Sequence, residues 1–276
     1  ALLASNVFGA VVGQLKWSDG SIFPKSINYG GKLNIYAWVS SDYSRLTRSI
    51  IVYEVDQNGQ SVNVAGTVKA SETINIPSEG LAQNFEINAS NYKKAGNFKV
   101  ELYLIDADQN SRKYSLLFTV NKVPPVFSGP INNLFSPEGT PITIDLSRYF
   151  SDPEPYDTLT YSATLNDSAQ IDVTATIRGS EVTLSPKNPE FHGTVKVTFW
   201  ASDGTFFVSS NEVSVSFTEV NDPAQWQSLT NQKINEDSPS GTVIYQSLKT
   251  KCTDVDTPVQ VSIISNHQHY ELYFDG

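Results

Sequence analysis

A short polar segment, Glu219-Val220-Asn221-Asp222-Pro223, concentrates oxygen-bearing side chains between two stretches that alternate like β-strands. Further along the chain, Thr253-Asp254-Val255-Asp256 adds two carboxylates. Carboxylate and amide oxygens are the ligands of Ca²⁺, which binds about six to eight of them at once. The same residues also fit a solvated linker, because Asp and Asn commonly cap turns. The segment is therefore either half of a calcium site or a plain polar joint.

The overall composition restricts the classes of partner. Acidic residues outnumber basic ones, 29 to 19, and the formal net charge is −10. Phosphate binding needs a basic surface, so this balance argues against nucleic acid. Cys252 is the single cysteine, so no disulfide can form within the chain and each domain must be stable through its own core. Residues 1–12 are apolar without a basic leader, and we expect them to begin a mature secreted protein.

Strand-like alternation dominates the chain, and helical periodicity is almost absent. Leu33, Ile35, Ala37 and Val39, for example, share one face of a predicted strand. The other predicted strands lie at 49–55, 98–104, 114–120, 142–146, 159–165, 171–177, 181–185, 194–202 and 212–218. Short strands separated by turn residues predict an all-β fold of tandem sandwiches, the first of them immunoglobulin-like. No apolar run reaches the roughly 18 residues of a membrane helix, and we expect no membrane span.

Two boundaries divide the chain into three predicted domains. Pro124-Pro125 follows the first, residues 1–122, and the polar joint separates residues 123–220 from residues 221–276. Landmarks of the second domain recur in the third about 100 residues later, including Asp152-Pro153-Glu154 as Asp254-Val255-Asp256. The third segment stops roughly halfway through this pattern, so we expect an incomplete repeat.

Residues 123–276 resemble cadherin repeats, including the bacterial and dystroglycan-type relatives. The resemblance is carried by Asn235–Ile244 followed by Thr253–Asp256, by Phe150–Glu154, by Ala201–Gly204 and by the acidic linker. Glu219 stands in the linker where the family usually has Asp. The resemblance implies cadherin-like β-sandwiches with calcium between successive repeats. With the immunoglobulin-like first domain, the chain is expected to consist of tandem immunoglobulin-like and cadherin-like β-sandwiches.

Carried over residue by residue, the resemblance assigns a set of calcium ligands to the joint between the second and third segments. These are Glu138, Glu190, Glu219, Asn221, Asp222, Asp254 and Asp256, with Asn266 as a weaker candidate. Clustered carboxylates on strand ends repel one another unless a cation neutralises them. The alternative remains that these acids cap turns and solvate a linker.

The joint between the first and second segments departs from the family pattern. The linker acids are replaced by Thr119-Val120-Asn121-Lys122-Val123, which places a lysine in a ligand position. Asp152, Glu154 and Asp203 remain as weaker candidate ligands. We expect no fully occupied metal site there, and either a packed metal-free interface or a hinge.

The sequence does not predict an enzyme. His267 and His269 lack a third zinc ligand and a general base, and the pair Asp152 and Glu154 lies in a turn of a small sandwich rather than in a cleft. Trp38 and Trp200 lie on the faces of their strands opposite the apolar one, where aromatic rings can stack on sugars. Trp226 is predicted to fill a core.

Two further features are predicted from local pattern alone. Asn88 and Asn166 each begin an N-glycosylation triplet, a pattern that also arises by chance. Cys252 is expected to be a small buried residue, with intermolecular crosslinking as the alternative.

Together these observations predict an extracellular or cell-surface adhesion or stalk protein whose rod is stiffened by calcium between domains. Its partners would be other protein chains or glycans. One alternative is a filament subunit whose incomplete third sandwich is completed by a strand from a neighbouring chain. A second alternative is a carbohydrate-binding accessory module of a secreted enzyme.

Overall fold

The computed structural model describes residues 11–166, 172–230, 232–233, 235, 237–239, 242–243 and 248–262. Within them the chain is built almost entirely of strands, which confirms the all-β prediction. Three short 3₁₀ segments lie in these ranges, Ala89–Asn91, Leu146–Arg148 and Leu248–Lys251. No helix among the described residues is long and apolar enough for a membrane crossing.

Eight strands form the first sandwich. They are β1 (Val12–Trp17), β2 (Lys25–Asn28), β3 (Lys32–Ser40), β4 (Arg45–Val55), β5 (Ser61–Asn75), β6 (Leu81–Asn88), β7 (Gly96–Ile105) and β8 (Ser111–Asn121). One sheet has the order β1-β3-β6 and the other the order β2-β8-β7-β4-β5. All pairs are antiparallel except β2 with β8, which run parallel.

Alternating apolar side chains place the core of the first sandwich between these two sheets. Ile35, Ala37 and Val39 of β3 are buried, as their alternation predicts. Trp17 is buried as well, and its ring meets the edge of Phe118 with 6.2 Å between centroids. The sandwich is thus stabilised by its own apolar core without a disulfide.

The second sandwich repeats this arrangement with a smaller second sheet. Its strands are β9 (Val126–Phe127), β10 (Leu134–Pro137), β11 (Ile142–Asp145), β12 (Phe150–Ser151), β13 (Thr160–Leu165), β14 (Val173–Arg178), β15 (Glu181–Pro186), β16 (Gly193–Ser202) and β17 (Phe207–Thr218). The sheets have the orders β10-β17-β16-β13 and β11-β15-β14, and β9 pairs with β12. Phe199, Val182 and Leu184 are fully buried between them.

The third segment begins in the same way as the second. β18 (Gln225–Trp226) pairs antiparallel with β19 (Cys252–Thr253), as β9 pairs with β12, and a 3₁₀ turn precedes the second strand in both cases. Cys252 is buried, as predicted. Trp226 is 55% exposed, so the prediction that it fills a core is wrong. Glu236, Asn266, His267 and His269 lie outside the described residues.

The two separate cores generate a prediction about local stability. Truncating Leu184 to alanine removes a fully buried side chain from the second core, which costs about 2–5 kcal/mol at such sites. We expect faster amide hydrogen exchange in peptides of β14–β17 and unchanged exchange in β7 and β8, measured by mass spectrometry.

Leu102→Ala is the matched control, because Leu102 is buried equally in the first core. Leu102→Ala should accelerate exchange in β7 and β8 and leave exchange in β14–β17 unchanged. Acceleration of both sandwiches by either variant would show that they unfold as one unit.

Candidate metal centre

Three carboxylates from distant parts of the sequence meet between the second and third segments, at what we call the second joint. Glu138 follows β10, Glu190 lies in the turn before β16, and Asp256 lies in the turn after β19. One oxygen from each side chain lies within 4.8 Å of the others. The sandwich fold brings them together because β10 and β17 run parallel and end at the same edge, where the linker leaves.

Hydrogen bonds from the linker backbone fix two of these carboxylates. The Val220 N–H donates to Glu138 Oε1 at 2.6 Å, and the Asp222 N–H donates to Asp256 Oδ2. The Glu138 side chain is only 8% exposed, and its Oε2 lies 3.6 Å from Nδ1 of His192. The linker is therefore held to both neighbouring segments through carboxylates of the cluster.

Several negatively charged side chains of the second joint surround Glu190. Desolvation, the nearby Asp222 carboxylate and the charges of Glu138 and Asp256 raise the pKa of Glu190 above its ordinary value. Asp222 thus belongs to the electrostatic environment of the cluster. Glu138, Glu190, Asp222 and Asp256 thus gather carboxylate oxygens, the hard ligands that Ca²⁺ prefers, at the second joint.

The other predicted ligands do not all face the cluster. Asp254 Oδ1 accepts hydrogen bonds from the backbone of Asp256 at 2.9 Å and Thr257 at 2.8 Å, which lowers the Asp254 pKa. This carboxylate oxygen therefore caps its own turn, as the linker interpretation proposes for such acids. Glu219 and Asn221 are exposed, and the Asn221 amide donates to the carbonyl of Asp222.

The joint between the first and second sandwiches, the first joint, also gathers acids. Asp152, Glu154 and Asp157 form a group with oxygens within 4.8 Å of one another. Lys122 of the linker lies among them: its Nζ is 2.9 Å from Asp157 Oδ2 and 3.3 Å from Asp203 Oδ2. Sequence reasoning missed Asp157, whose position after a loop of Pro and Tyr carries no ligand signature.

Burial and ion pairing act in opposite directions on the acids of the first joint. Burial is the main cause that raises the pKa values of Asp152 and Glu154. Burial also opposes ionisation of Asp203, but the N–H groups of Phe206 and Thr205, together with Lys122, hold the Asp203 pKa below its ordinary value. Hydrogen bonding to Asp157 is the main cause that raises the Lys122 pKa. Lys122 thus pairs directly with two of these acids, Asp157 and Asp203.

Both joints attach the linker to the following segment with the same hydrogen bonds. At the first joint, Asp152 Oδ1 accepts from the Glu154 N–H at 2.8 Å, and Glu154 Oε2 accepts from the Val123 N–H at 3.0 Å. At the second joint, Asp254 and Asp256 repeat these bonds, with the Asp222 N–H in the place of Val123. The repeated Asp-x-acid sequence therefore clamps a linker N–H in both places.

Comparisons with known proteins leave the chain without a family. Neither the scan against protein-family models nor the search of curated proteins finds a match. Among solved structures, an endo-fucoidan hydrolase of glycoside hydrolase family 107 is 18% identical, with a TM-score of 0.29, covering 80% of this chain and 31% of that one. A β-glucosidase from Listeria innocua is 14% identical, with a TM-score of 0.26, covering 39% of this chain and 16% of that one.

A third similar structure is a C-terminal domain of AspA, an antigen I/II-family protein of Streptococcus pyogenes. It is 11% identical, with a TM-score of 0.28, and the match covers 76% of this chain and 99% of that one. The chain thus spans less than a third of the length of the two glycoside hydrolases. At these TM-scores the likenesses assign neither a fold family nor an activity.

The raised pKa of Glu190 predicts a pH effect on the metal-free protein. A carboxyl group whose folded pKa is raised destabilises the fold above that pKa, and the penalty vanishes as the pH falls below its unfolded value of about 4.3. We therefore expect Glu190→Gln to raise the melting temperature in chelator at pH 7 and to leave it unchanged at pH 4.

Glu79→Gln is the control, since Glu79 is an exposed acid of the first sandwich. A Glu190→Gln variant that melts at or below the wild-type temperature at pH 7 would contradict the crowding of charge at the second joint.

Proposed function

We propose that this chain is a segment of an extracellular or cell-surface stalk, and that Ca²⁺ at the second joint holds successive β-sandwiches in a fixed alignment. The observation that carries the proposal is the convergence of Glu138, Glu190 and Asp256 on one point between two segments. These residues are 52 or more positions apart in the chain, so ordinary turn capping does not require them to meet.

The donor set favours calcium over other common metals. All side chains of the cluster, including Asp222, offer carboxylate oxygens, and Cys252 is buried in the β18–β19 region rather than a member of the cluster. Hard oxygen donors of variable geometry suit Ca²⁺, whereas zinc prefers nitrogen and sulfur. Glu138 and Glu190 come from the second sandwich and Asp256 from the third segment, so one ion would link the two.

Such a site would work through ligand linkage. An ion that binds only when the two segments are aligned stabilises the aligned state by an amount set by its concentration and affinity. Without the ion, the carboxylates repel one another and the joint opens. The mechanical role follows from this difference, because a stalk transmits force only when its joints are stiff.

Calcium should therefore raise the melting temperature of the chain. At about 100 times the Kd, the ion stabilises the state that binds it by about 2.7 kcal/mol. Asp256→Asn removes a ligand and should abolish most of the difference between calcium and chelator, measured by differential scanning calorimetry. Glu79→Gln should retain the full difference. Equal melting of the wild type in calcium and in chelator would refute the site.

A groove around Trp200 supports a second candidate function. On the outer face of the second sandwich, the indole N–H of Trp200 is buried without a hydrogen-bond partner among the described residues. Phe207, which is 70% exposed, packs edge-on against this ring at 5.9 Å. Hydroxyl side chains line the same groove, at Thr160, Ser162, Thr164 and Ser202. Aromatic rings beside hydroxyl groups suit a neutral saccharide.

Saccharide binding predicts a specific loss. Trp200→Ala should abolish the retardation of the protein in gels containing neutral polysaccharides. Phe135→Ala should not, because Phe135 is an exposed aromatic on the same sheet outside the groove. If no polysaccharide retards the wild type, or if both variants behave like it, the groove is not a sugar site.

A further inference from the structure

The two joints share one backbone frame, so their residues can be compared position by position. In the first sandwich, Asn28 of β2 pairs with Asn121, and the next N–H, that of Tyr29, donates to the Asn121 carbonyl. In the second sandwich, Pro137 of β10 pairs with Thr218, and the N–H of Glu138 donates to the Thr218 carbonyl. Tyr29 therefore occupies at the first joint the position that Glu138 occupies at the second.

Glu190 also has a counterpart in the first sandwich. β7 begins at Gly96, paired with Val120, and β16 begins at Gly193, paired with Phe217. Both glycines have φ near +150°, so the two turns enter their strands alike. Three residues earlier the first sandwich has Lys93 and the second has Glu190.

Because of these two replacements, the first sandwich presents positive charge at the first joint, whereas the second sandwich presents negative charge at the second joint. Burial is the main cause that raises the Tyr29 pKa, and the nearby Tyr156 and Glu154 of the following segment add to this effect. Lys93 Nζ lies 5.8 Å from the centre of the Tyr156 ring. Two carboxylates at the second joint thus correspond to a phenol and an ammonium group at the first.

The linker of the first joint supplies a second ammonium group. It belongs to Lys122 and lies among the acids of the joint. Lys122 donates to the Asp203 carbonyl at 2.9 Å in addition to its ion pairs with Asp157 and Asp203. The Asp203 side chain has no exposed surface, so the ion pair is partly desolvated rather than a surface contact. The adjacent residue, Val123, makes the clamp to Glu154.

We infer that the Lys122 ammonium group is the resident cation of the first joint, and that it closes this joint without a divalent ion. The chain would then contain one joint that depends on calcium and one that does not. The calcium dependence of the second joint rests on the proposed function. Closure of the first joint by Lys122 does not.

Two backbone amides report the two joints separately in the intact chain. The Val123 N–H donates to Glu154 at the first joint and the Asp222 N–H to Asp256 at the second. A joint that opens at its clamp would expose that amide to exchange. We expect chelator to leave hydrogen exchange at Val123 unchanged and to accelerate it at Asp222, measured by NMR. Chelator that accelerates Val123 equally would overturn the inference.

Removing the ammonium group provides the direct test. In Lys122→Gln, Val123 should exchange about tenfold faster in chelator, the effect of losing one charged hydrogen-bonding interaction. Added Ca²⁺ should restore protection, because the acids then lack their internal cation. Lys196→Gln is the control, since it removes an ion pair with Glu212 elsewhere in the second sandwich. Asp157→Asn, which weakens the pair from the other side, should also accelerate Val123.

The outcomes separate the two proposals. Unchanged Val123 exchange in both Lys122→Gln and Asp157→Asn would show that Lys122 does not close the first joint. If hydrogen exchange of the Asp222 amide is the same with and without calcium, the proposed function is contradicted. The conclusion drawn from Val123 is not affected by that result.

Discussion

The structure depends on how negative charge is compensated where one β-sandwich meets the next. Each clamp uses a carboxylate to hold a linker N–H, Glu154 on Val123 and Asp256 on Asp222. Each clamp places an acid at the junction, and further acids gather around it. On our proposals, repulsion among those acids opens the junction unless positive charge is supplied. The alignment of the sandwiches would then depend on the source of that charge.

The linkers of the two joints differ in charge. A lysine of the linker carries its own positive charge to the first joint, and its position is fixed by the covalent chain. The linker of the second joint, residues 219–222, contains no lysine, and the preceding sandwich adds Glu138 and Glu190 to the negative charge. A tethered ammonium gives permanent closure, whereas an ion from solution gives closure that depends on its concentration. The difference lies in a few side chains on a common backbone.

Much of the fold could be predicted from alternation, but not all of it. The strands that alternate clearly, such as β3, β7 and β16, match their predicted positions within about two residues. β5 was missed although it has 15 residues. It is an edge strand with four register shifts against β4, and Val62 and Val64 on it are exposed, so its pattern lacks a buried face. Period-two patterning reports burial on one face rather than strand formation itself.

The candidate site shows a similar limit. The cadherin resemblance pointed to Glu138, Glu190 and Asp256. It could not distinguish Asp256, which faces the cluster, from Asp254, whose Oδ1 caps its own turn. That difference depends on turn geometry, which residue type does not fix. Asp157 could not be predicted as a member of the first joint, because its loop sequence does not show that it pairs with Lys122. The acidic motifs thus marked the positions of the joints, whereas the position of Lys122 among the acids of the first joint required the structure.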